Sequence, residues 1–281
     1  MKRTTYRDLA EFGLPLVGPE SPTFSALVRD IEDRPQFFGS WSPDDLDTAA
    51  VLLNQSGQAI ITLAHVWQYT NAEGRTRTSR YSNLGSSTQV DVLCGLAEVG
   101  QYPGVFILPG SKRLITESGV FGNNLDVLPP DSAERSGTFV AGGGGGGIHR
   151  RLSDESTEIE LYLDTAIFED GLCIGPDDSG LFESLTSDLQ RQRDTAREIV
   201  GVLGKGGSEG QIFEILRPLA RHAPPRDEHG RGRLQVLGMF ANMAINRLIN
   251  ASGSELRAYF EHVAEPSRLR LHRPTGIQWK R

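Results

Sequence analysis

Two kinds of hydrophobic pattern divide the chain. Between residues 48 and 168, apolar side chains occur in short, often alternating runs that turn-forming residues separate, which is typical of β-strands. After residue 180, apolar side chains recur every three or four positions, as on one face of an α-helix. Strands followed by helices predict either an α+β chain or two separate domains.

The clearest strand signal covers residues 59–69, which are rich in β-branched and aromatic side chains. Because successive side chains of a strand point to opposite faces, alternate positions place the bulk on one face, which we expect in the core. Residues 71–74 predict a hairpin turn with Gly74 in the left-handed region, and residues 75–81 predict a polar return strand with a solvated face or at an edge. The core-facing positions are Ile61, Leu63, His65, Trp67 and Tyr69.

Other strands are predicted where turn residues bracket apolar runs. The predicted strands are residues 88–96, 105–108, 113–116, 137–140 and 158–168. In the last of these, the inward positions are Ile159, Leu161, Leu163 and Ile167, and the outward positions are Glu158, Glu160 and Asp164. Several short strands with turns between them predict an antiparallel sandwich or barrel.

Four helices are predicted after residue 180. The first covers residues 181–203, and the third, residues 234–251, is apolar around most of its surface, so we expect it to be the most buried. The second and fourth begin at Ser208 and Ser252, where a Gln or Glu three residues later has the spacing of a capping box. Pro218 is expected to bend or shorten the second helix.

The first 47 residues contain several prolines, which interrupt any long periodic element. One short helix is expected, with Phe24, Leu27, Val28 and Ile31 on a single face, so we interpret this segment as an arm or cap packed on the sandwich. The predicted organisation is an N-terminal arm or cap at 1–47, a β-sandwich domain at 48–175 with a Gly-rich loop at 142–147, a helical region at 176–265 and a basic tail at 266–281.

Composition limits the class of protein. The chain of 281 residues is 38% hydrophobic and 23% charged, which fits a globular protein. No apolar run approaches the ~20 residues that span a bilayer, and the N-terminus is polar, so we expect a cytoplasmic protein without membrane contact. The net charge of −7 argues against a general nucleic-acid surface. A disulfide between Cys94 and Cys173 is conceivable, but in a chain without an export signal we expect both to be reduced and buried.

Several segments of the strand region resemble bacterial immunoglobulin-like sandwich domains of uncharacterised function. The resemblance is carried by residues 51–57 with Ile60, the strand 66–69, the turn 71–74 and the turn 108–111 before Arg113, and it covers residues 48–170. It implies an antiparallel immunoglobulin-like β-sandwich and a bias towards binding. The chain departs from antibody-type domains, because Cys94 and Cys173 both follow Trp67, whereas antibody-type domains place one cysteine before the tryptophan.

Two glycine-rich segments invite comparison with phosphate-binding loops. Residues 142–147 are six glycines, but the sequence after them has no helical face, so we predict a flexible loop or linker. The pair Gly204-Lys205 resembles the end of a nucleotide-binding loop, but the position five residues before it is Ile199 and not the required glycine. Gly206 stands where that loop has a magnesium-binding Ser or Thr, so we predict that residues 204–208 form a helix-ending turn. The six histidines have no metal-ligand spacing, and no catalytic, cofactor-binding or metal residue is predicted.

Two polar positions remain as conditional candidates. If the sandwich contains a general base, His65 is the first candidate, with Asp164 as a conceivable partner, although a core or subsurface imidazole is the favoured interpretation. Asp177 and Asp178 are able either to bind a cation or to cap the long helix that follows, and capping is favoured because the helix begins there.

The basic tail at 266–281 has no acidic residue and contains Arg268, Arg270, Arg273, Lys280 and Arg281 with His272 and Trp279. It suits RNA or an acidic partner, but packing on the acidic body of the same protein or of a second copy is favoured.

These features lead to one main hypothesis: a non-enzymatic interaction or structural protein that uses a β-sandwich surface to bind a protein partner or a second copy of itself. The first alternative is an enzyme, specifically a hydrolase, with a site assembled from distant residues around His65. The second alternative is nucleic-acid association through the basic tail.

Overall fold

A computed structural model describes residues 3–32, 43–82, 87–102, 105–117, 119–121, 152–220, 236–250, 252–265, 271–277 and 279. Within these residues the fold is α+β, with two β-sheets and six α-helices. The chain divides into two compact units. We call them the sheet unit (residues 1–83, 99–179 and 273–281) and the helical unit (residues 84–98 and 180–272).

The sheet unit contains the strands of both sheets. They are β1 (Arg3–Arg7), β2 (Leu16–Val17), β3 (Ala50–Leu53), β4 (Ile60–Asn71), β5 (Thr76–Ser82), β6 (Lys112–Thr116), β7 (Gly119–Phe121), β8 (Ser156–Phe168) and β9 (Cys173–Ile174). The first sheet has the order β1-β8-β4-β5, with β9 paired to the end of β8, and the second has the order β2-β3-β6-β7. All strand pairs are antiparallel except β1 with β8, which is parallel. The N-terminal segment therefore supplies an edge strand to each sheet.

The central hairpin of the first sheet forms as its sequence predicts. Strand β4 pairs with β5 on one side and with β8 on the other, and most of its side chains are buried. The turn closes through the Gly74 amide, which donates to the Asn71 carbonyl at 3.0 Å. Gly74 has φ +74°, the left-handed conformation that glycine adopts without a steric cost.

The two sheets share one hydrophobic cluster. Strand β4 contributes Leu63 and Trp67, β8 contributes Leu161, and the second sheet contributes Leu52 and Ile115. The opposite face of the second sheet packs against helix α1 (Phe24–Glu32), which confirms the short N-terminal helix. This second cluster contains Phe24, Val28, Ile31, Ala49, Val51 and Leu114.

A β-bulge in β8 changes which side chains face the core. His65 pairs with Leu163 whereas Ala64 pairs with Thr165, so Asp164 has no partner residue across the strands. The outward position predicted for Asp164 is wrong, because this side chain is 0% exposed. After the bulge Ala166 and Phe168 enter the shared core, whereas Ile167, predicted to face inward, is 0% exposed but is not part of this cluster.

Segment 88–96, predicted as a strand, is helix α2 (Ser87–Leu93) followed by a turn. Its buried side chains Gln89, Val92 and Leu93 have the i, i+3, i+4 spacing of a helical face, which a short alternating pattern does not separate from a strand. The prediction at 113–116 is confirmed by β6. In 105–108 only Ile107 pairs, through a single bridge to Ile60. The strand predicted at 137–140 lies outside the described residues.

The four predicted C-terminal helices are confirmed. They are α3 (Leu181–Gly204), α4 (Glu209–Ala220), α5 (Val236–Asn250) and α6 (Gly253–Ala264). Ser252 caps α6 with both bonds of the capping box, since its hydroxyl accepts from the Glu255 amide and Glu255 accepts from the Ser252 amide. Pro218 lies in the last turn of α4, which continues to Ala220. All four helices contribute to one core, although Ile249 of α5 is 72% exposed.

Candidate functional site

His65 is a packing residue of the shared core. Its ring is 1% exposed and stacks on Tyr81 of the neighbouring strand, with 5.2 Å between the ring centroids. Neither ring nitrogen has a hydrogen-bond partner, and burial lowers the pKa of His65 to about 3. A general base has to reach its substrate or a water molecule, and this imidazole is enclosed. His65 therefore does not form the catalytic pair with Asp164 that the sequence left open, since neither of its ring nitrogens is hydrogen-bonded.

Asp164 instead holds the loop 175–179 against the end of β8. Its Oδ1 accepts from the Asp178 amide at 2.6 Å, and its Oδ2 accepts from the Ser179 amide at 3.2 Å and from the Ser179 hydroxyl. The Thr165 hydroxyl has a single proton, which it shares between Asp164 Oδ2 at 3.3 Å and Asp177 Oδ1 at 3.0 Å. Burial raises the pKa of Asp164, while the bonds from Ser179 and Asp178 act in the opposite direction. We call Asp164 with loop 175–179 the aspartate elbow.

Gly175 fits the aspartate elbow because it has no side chain. Its φ is +105°, and a Cβ placed on it would overlap the carbonyl oxygen of Asp164. The chain therefore passes so close to β8 at this position that only glycine is accommodated without displacing backbone.

Asp177 and Asp178 do not cap the long helix, and that prediction is wrong. The N-cap of α3 is Gly180, without a side-chain cap. Asp177 accepts from the Thr165 hydroxyl at 3.0 Å, and Asp178 accepts from the Tyr162 hydroxyl at 3.2 Å. These carboxylates therefore bind the neighbouring strand. In the part of the chain that the structure describes, no group of three or more His, Cys, Asp or Glu side chains has a metal-binding arrangement.

The described part of the basic tail packs on the sheet unit, as the favoured interpretation predicts. Arg273 donates to the Gly175 carbonyl, and its Nη1 lies 3.9 Å from Asp177 Oδ2. The Trp279 ring packs on Phe12, with 5.4 Å between centroids. The tail thus adds a cation and an aromatic ring to this unit. Residues 266–270, 278 and 280–281 lie outside the described part of the chain.

One face of the first sheet lies in the shared core. The opposite face is buried at Ala64, Val66 and Tyr162, and it is polar and accessible only towards the Asn71 end of β4; we call this polar part the open face. The pairing of the strands places side chains of neighbouring strands in rows across the sheet. In one row, Arg3 of β1 and Thr70 of β4 lie on either side of Glu158 of β8. The open face consists of Arg3, Thr5, Gln68, Thr70, Thr76, Thr78, Glu158 and Glu160, all exposed or half-buried. At one end the Arg7 guanidinium lies 4.1 Å over the Tyr162 ring, and its Nε lies 3.7 Å from Glu160.

The helical unit contains a second polar group, which we call the Cys94 cluster. The Cys94 thiol donates to Gln192 Oε1 at 2.7 Å, and burial raises the pKa of Cys94 to about 12, with the Asp91 charge adding to the shift. Burial also raises the pKa of Tyr259, followed by the effect of Cys94. The Arg247 guanidinium lies 4.5 Å over the Tyr259 ring. Helices α2, α3, α5 and α6 and the turn after α2 thus bring polar groups together.

Sequence reasoning missed the Cys94 cluster because its members are distant in the chain. One local signal was present in α3. The buried stripe of this helix contains Leu185, Leu189, Ala196 and Ile199, and Gln192 occupies the position between them where another apolar residue is expected. A buried amide in such a stripe requires polar partners, and Cys94 supplies one of them.

The remaining predictions concern cysteines and glycine-rich segments. Cys94 and Cys173 are free, as expected, but only Cys173 is buried, whereas Cys94 is half-buried. Residues 204–208 form the predicted helix-ending turn, with the Gly207 amide donating to the Val202 carbonyl and Gly206 at φ +73°. Residues 142–147 lie outside the described residues.

Comparisons of the chain with family models, with curated proteins and with solved structures give no match. Among the described residues, no helix combines the length and apolarity that crossing a bilayer requires.

Proposed function

We propose that the protein is a non-enzymatic interaction protein that binds a protein partner through the open face of the sheet unit. The observation that carries this proposal is the asymmetry of the first sheet. One face is buried in the core shared by both sheets, and the Asn71 end of the opposite face presents side chains of four neighbouring strands in one surface. A rigid scaffold that holds an extended polar face suits recognition of another folded surface.

The open face has the parts that protein recognition uses. Arg3, Glu158 and Glu160 provide charges of both signs, so the complementary surface carries interleaved charges. Threonine and glutamine side chains add hydrogen-bonding groups between these charges. At the end of the face, stacking on Tyr162 restrains the Arg7 guanidinium, and an arginine held in this way loses little side-chain entropy on binding.

The proposal includes an immunoglobulin-like character for the sheet unit. The shared core between two sheets and the central β4–β5 hairpin support it. The parallel pairing of β1 with β8 is a departure from an antiparallel sandwich. It adds a strand beside β8 and thereby widens the open face by one row of side chains.

The enclosed position of His65 gives the hydrolase alternative no support from that residue. Arg273 of the tail contacts the Gly175 carbonyl and Asp177 of the protein itself, so this cation gives no support to nucleic-acid binding. We therefore carry neither alternative further.

Reversing one charge on the open face is expected to weaken partner binding about tenfold or more, because a like charge then meets the partner's complementary group. Glu158→Lys is suitable, since Glu158 is exposed. The matched control is Glu198→Lys, the same substitution on the exposed side of α3 in the helical unit. Native mass measurement of the tagged protein purified from its own cells gives the partner and its stoichiometry, including a second copy of the chain.

Recovery of the same complex with wild type and Glu198→Lys, and its loss with Glu158→Lys, is the expected result. Equal recovery with both variants would remove the open face from the interaction. A monomeric wild-type protein under these conditions would contradict the proposed function itself.

A further inference from the structure

Strand β1 forms one edge of the first sheet, and among the described residues β8 is the strand that pairs with it. This pairing is parallel, and in a parallel ladder the backbone groups of alternate residues point away from the neighbouring strand. For residues 3–6, the described structure contains no backbone hydrogen bond other than those of this ladder. The outer side of β1 therefore offers N–H and C=O groups to another extended chain.

The side chains of β1 differ between its two faces. Arg3 and Thr5 are exposed on the open face, and the Arg3 side chain has no ion pair or hydrogen bond with any described residue. On the opposite face Thr4 and Tyr6 are half-buried, and Tyr6 packs against the shared core. Because Glu158 lies next to Arg3 in one row, a carboxylate on the other side of Arg3 would continue the alternation of charge. An apolar side chain of the same added strand would cover Thr4 and Tyr6.

A second copy of β1 fits this edge poorly. Antiparallel pairing of two β1 strands over their full length places Arg3 of each strand opposite Arg7 of the other, because both side chains lie on the same face. Like charges directly opposite each other destabilise a strand pair, and edge strands use such charges against self-association. Strand β1 contains no acidic residue that would offset this repulsion. The charge of the edge therefore favours an acidic strand from a different protein.

We propose that the outer edge of β1 binds an extended segment of a protein partner in which acidic and apolar residues alternate. The backbone of this segment pairs with the outward backbone groups of β1 and adds one strand to the first sheet. Its carboxylates contact Arg3 on the open face, and its apolar side chains cover the accessible part of Tyr6. This inference rests on the proposed function, since it names the part of the partner that contacts the open face at Arg3 and Thr5.

The edge is tested with a fluorescein-labelled heptapeptide of alternating glutamate and valine, which presents the same pattern in both chain directions. We expect a saturable rise in its fluorescence anisotropy with the full chain, below about 1 mM protein, and slower hydrogen exchange of the amides of residues 3–6. A peptide with lysine in place of glutamate should bind at least about tenfold more weakly. A peptide that is N-methylated at every backbone amide keeps the side chains but has no N–H to donate, so it should not bind.

Variants of the protein locate the contact. Arg3→Gln is expected to weaken binding of the glutamate peptide about fivefold, whereas Arg3→Lys, which keeps the charge, should bind it as the wild type does. The melting temperature of Arg3→Gln should match that of the wild type, because Arg3 is exposed and has no ion pair with a described residue. The matched control is Arg77→Gln, an exposed arginine of β5 at the other end of the sheet order, which should leave binding unchanged.

Three results would overturn strand addition at β1. They are absence of saturable binding of the glutamate peptide, equal binding of its N-methylated form, and equal weakening by Arg77→Gln and Arg3→Gln. The proposed function is judged separately, by the native complex and its response to Glu158→Lys. Failure of the peptide together with loss of that complex in Glu158→Lys would exclude the edge of β1 and retain the open face.

Discussion

Acidification from pH 7 to pH 4 is expected to destabilise the sheet unit through His65, by about 3 kcal/mol relative to a His65→Phe variant. The physical reason is that His65 is enclosed in the core with both ring nitrogens unpaired, so a proton on the ring has no partner to stabilise it. Burial lowers the pKa of His65 from 6.5 to about 3. Phenylalanine keeps the stacking on Tyr81 and removes the titration.

The sign of this effect follows from the two pKa values. Between about pH 3 and pH 6.5 the unfolded chain binds a proton at His65 that the folded chain does not bind. Stability is therefore complete above pH 6.5 and declines as the pH falls, by about 1.4 kcal/mol per pH unit for this one group. Below about pH 3 the decline attributable to His65 ends, because the folded state is then protonated as well.

Urea unfolding at a series of pH values, followed by tryptophan fluorescence, measures this difference. Trp67 is two residues from His65 on the same strand face and reports on the sheet unit. If His65→Phe loses stability with falling pH as steeply as the wild type, His65 is accessible to protons in the folded state and its assignment to the core is incorrect.

The sequence was informative where structure depends on local chemistry. The alternating bulk from Ile61 to Tyr69 predicts the core face of β4 correctly from Leu63 onward, because the period of a strand is two and one face is buried. Ile61 is buried but lies outside the shared cluster, which contains Ile60 instead, because the register shifts between Ile60 and Thr62. The turn at Gly74 and the capping box at Ser252 are fixed by backbone conformation and by side-chain hydrogen bonds within a few residues. Such features do not depend on the remainder of the chain.

Features that depend on distant partners were not predicted. The extra residue at Asp164 changes which side chains of β8 after it face the core. The local sequence does not predict this bulge, because the bulge is stabilised by bonds to the distant loop 175–179. Residues 87–93 fold as α2 because the helical unit buries one side of them, which overrides an ambiguous local pattern. Strand β1 is an edge strand whose pairing with β8 joins segments more than 150 residues apart. The Cys94 cluster arises in the same way from four helices.

Replacing the buried carboxylate of the aspartate elbow is expected to lower the stability of the sheet unit more than replacing a carboxylate on the surface. Asp164→Asn should lower the free energy of unfolding by about 2–4 kcal/mol at pH 7. Both carboxylate oxygens accept from backbone amides, Oδ1 from Asp178 and Oδ2 from Ser179. An amide side chain presents N–H groups at one of these positions, so one donor faces another and a buried N–H is left unpaired.

Two further variants separate the aspartate elbow from a general effect of lost charge. Asp178→Asn removes a neighbouring carboxylate that is exposed and accepts one bond from Tyr162, so it should cost at most about 1 kcal/mol. Gly175→Ala keeps every carboxylate but places a methyl group against the Asp164 carbonyl in a left-handed conformation, so it should destabilise the sheet unit by about 2 kcal/mol or more. Urea unfolding followed by tryptophan fluorescence ranks the stabilities of all three variants. Equal stabilities of Asp164→Asn and Asp178→Asn would contradict the elbow, because the bonds from Asp164 would then contribute nothing beyond those of an exposed carboxylate.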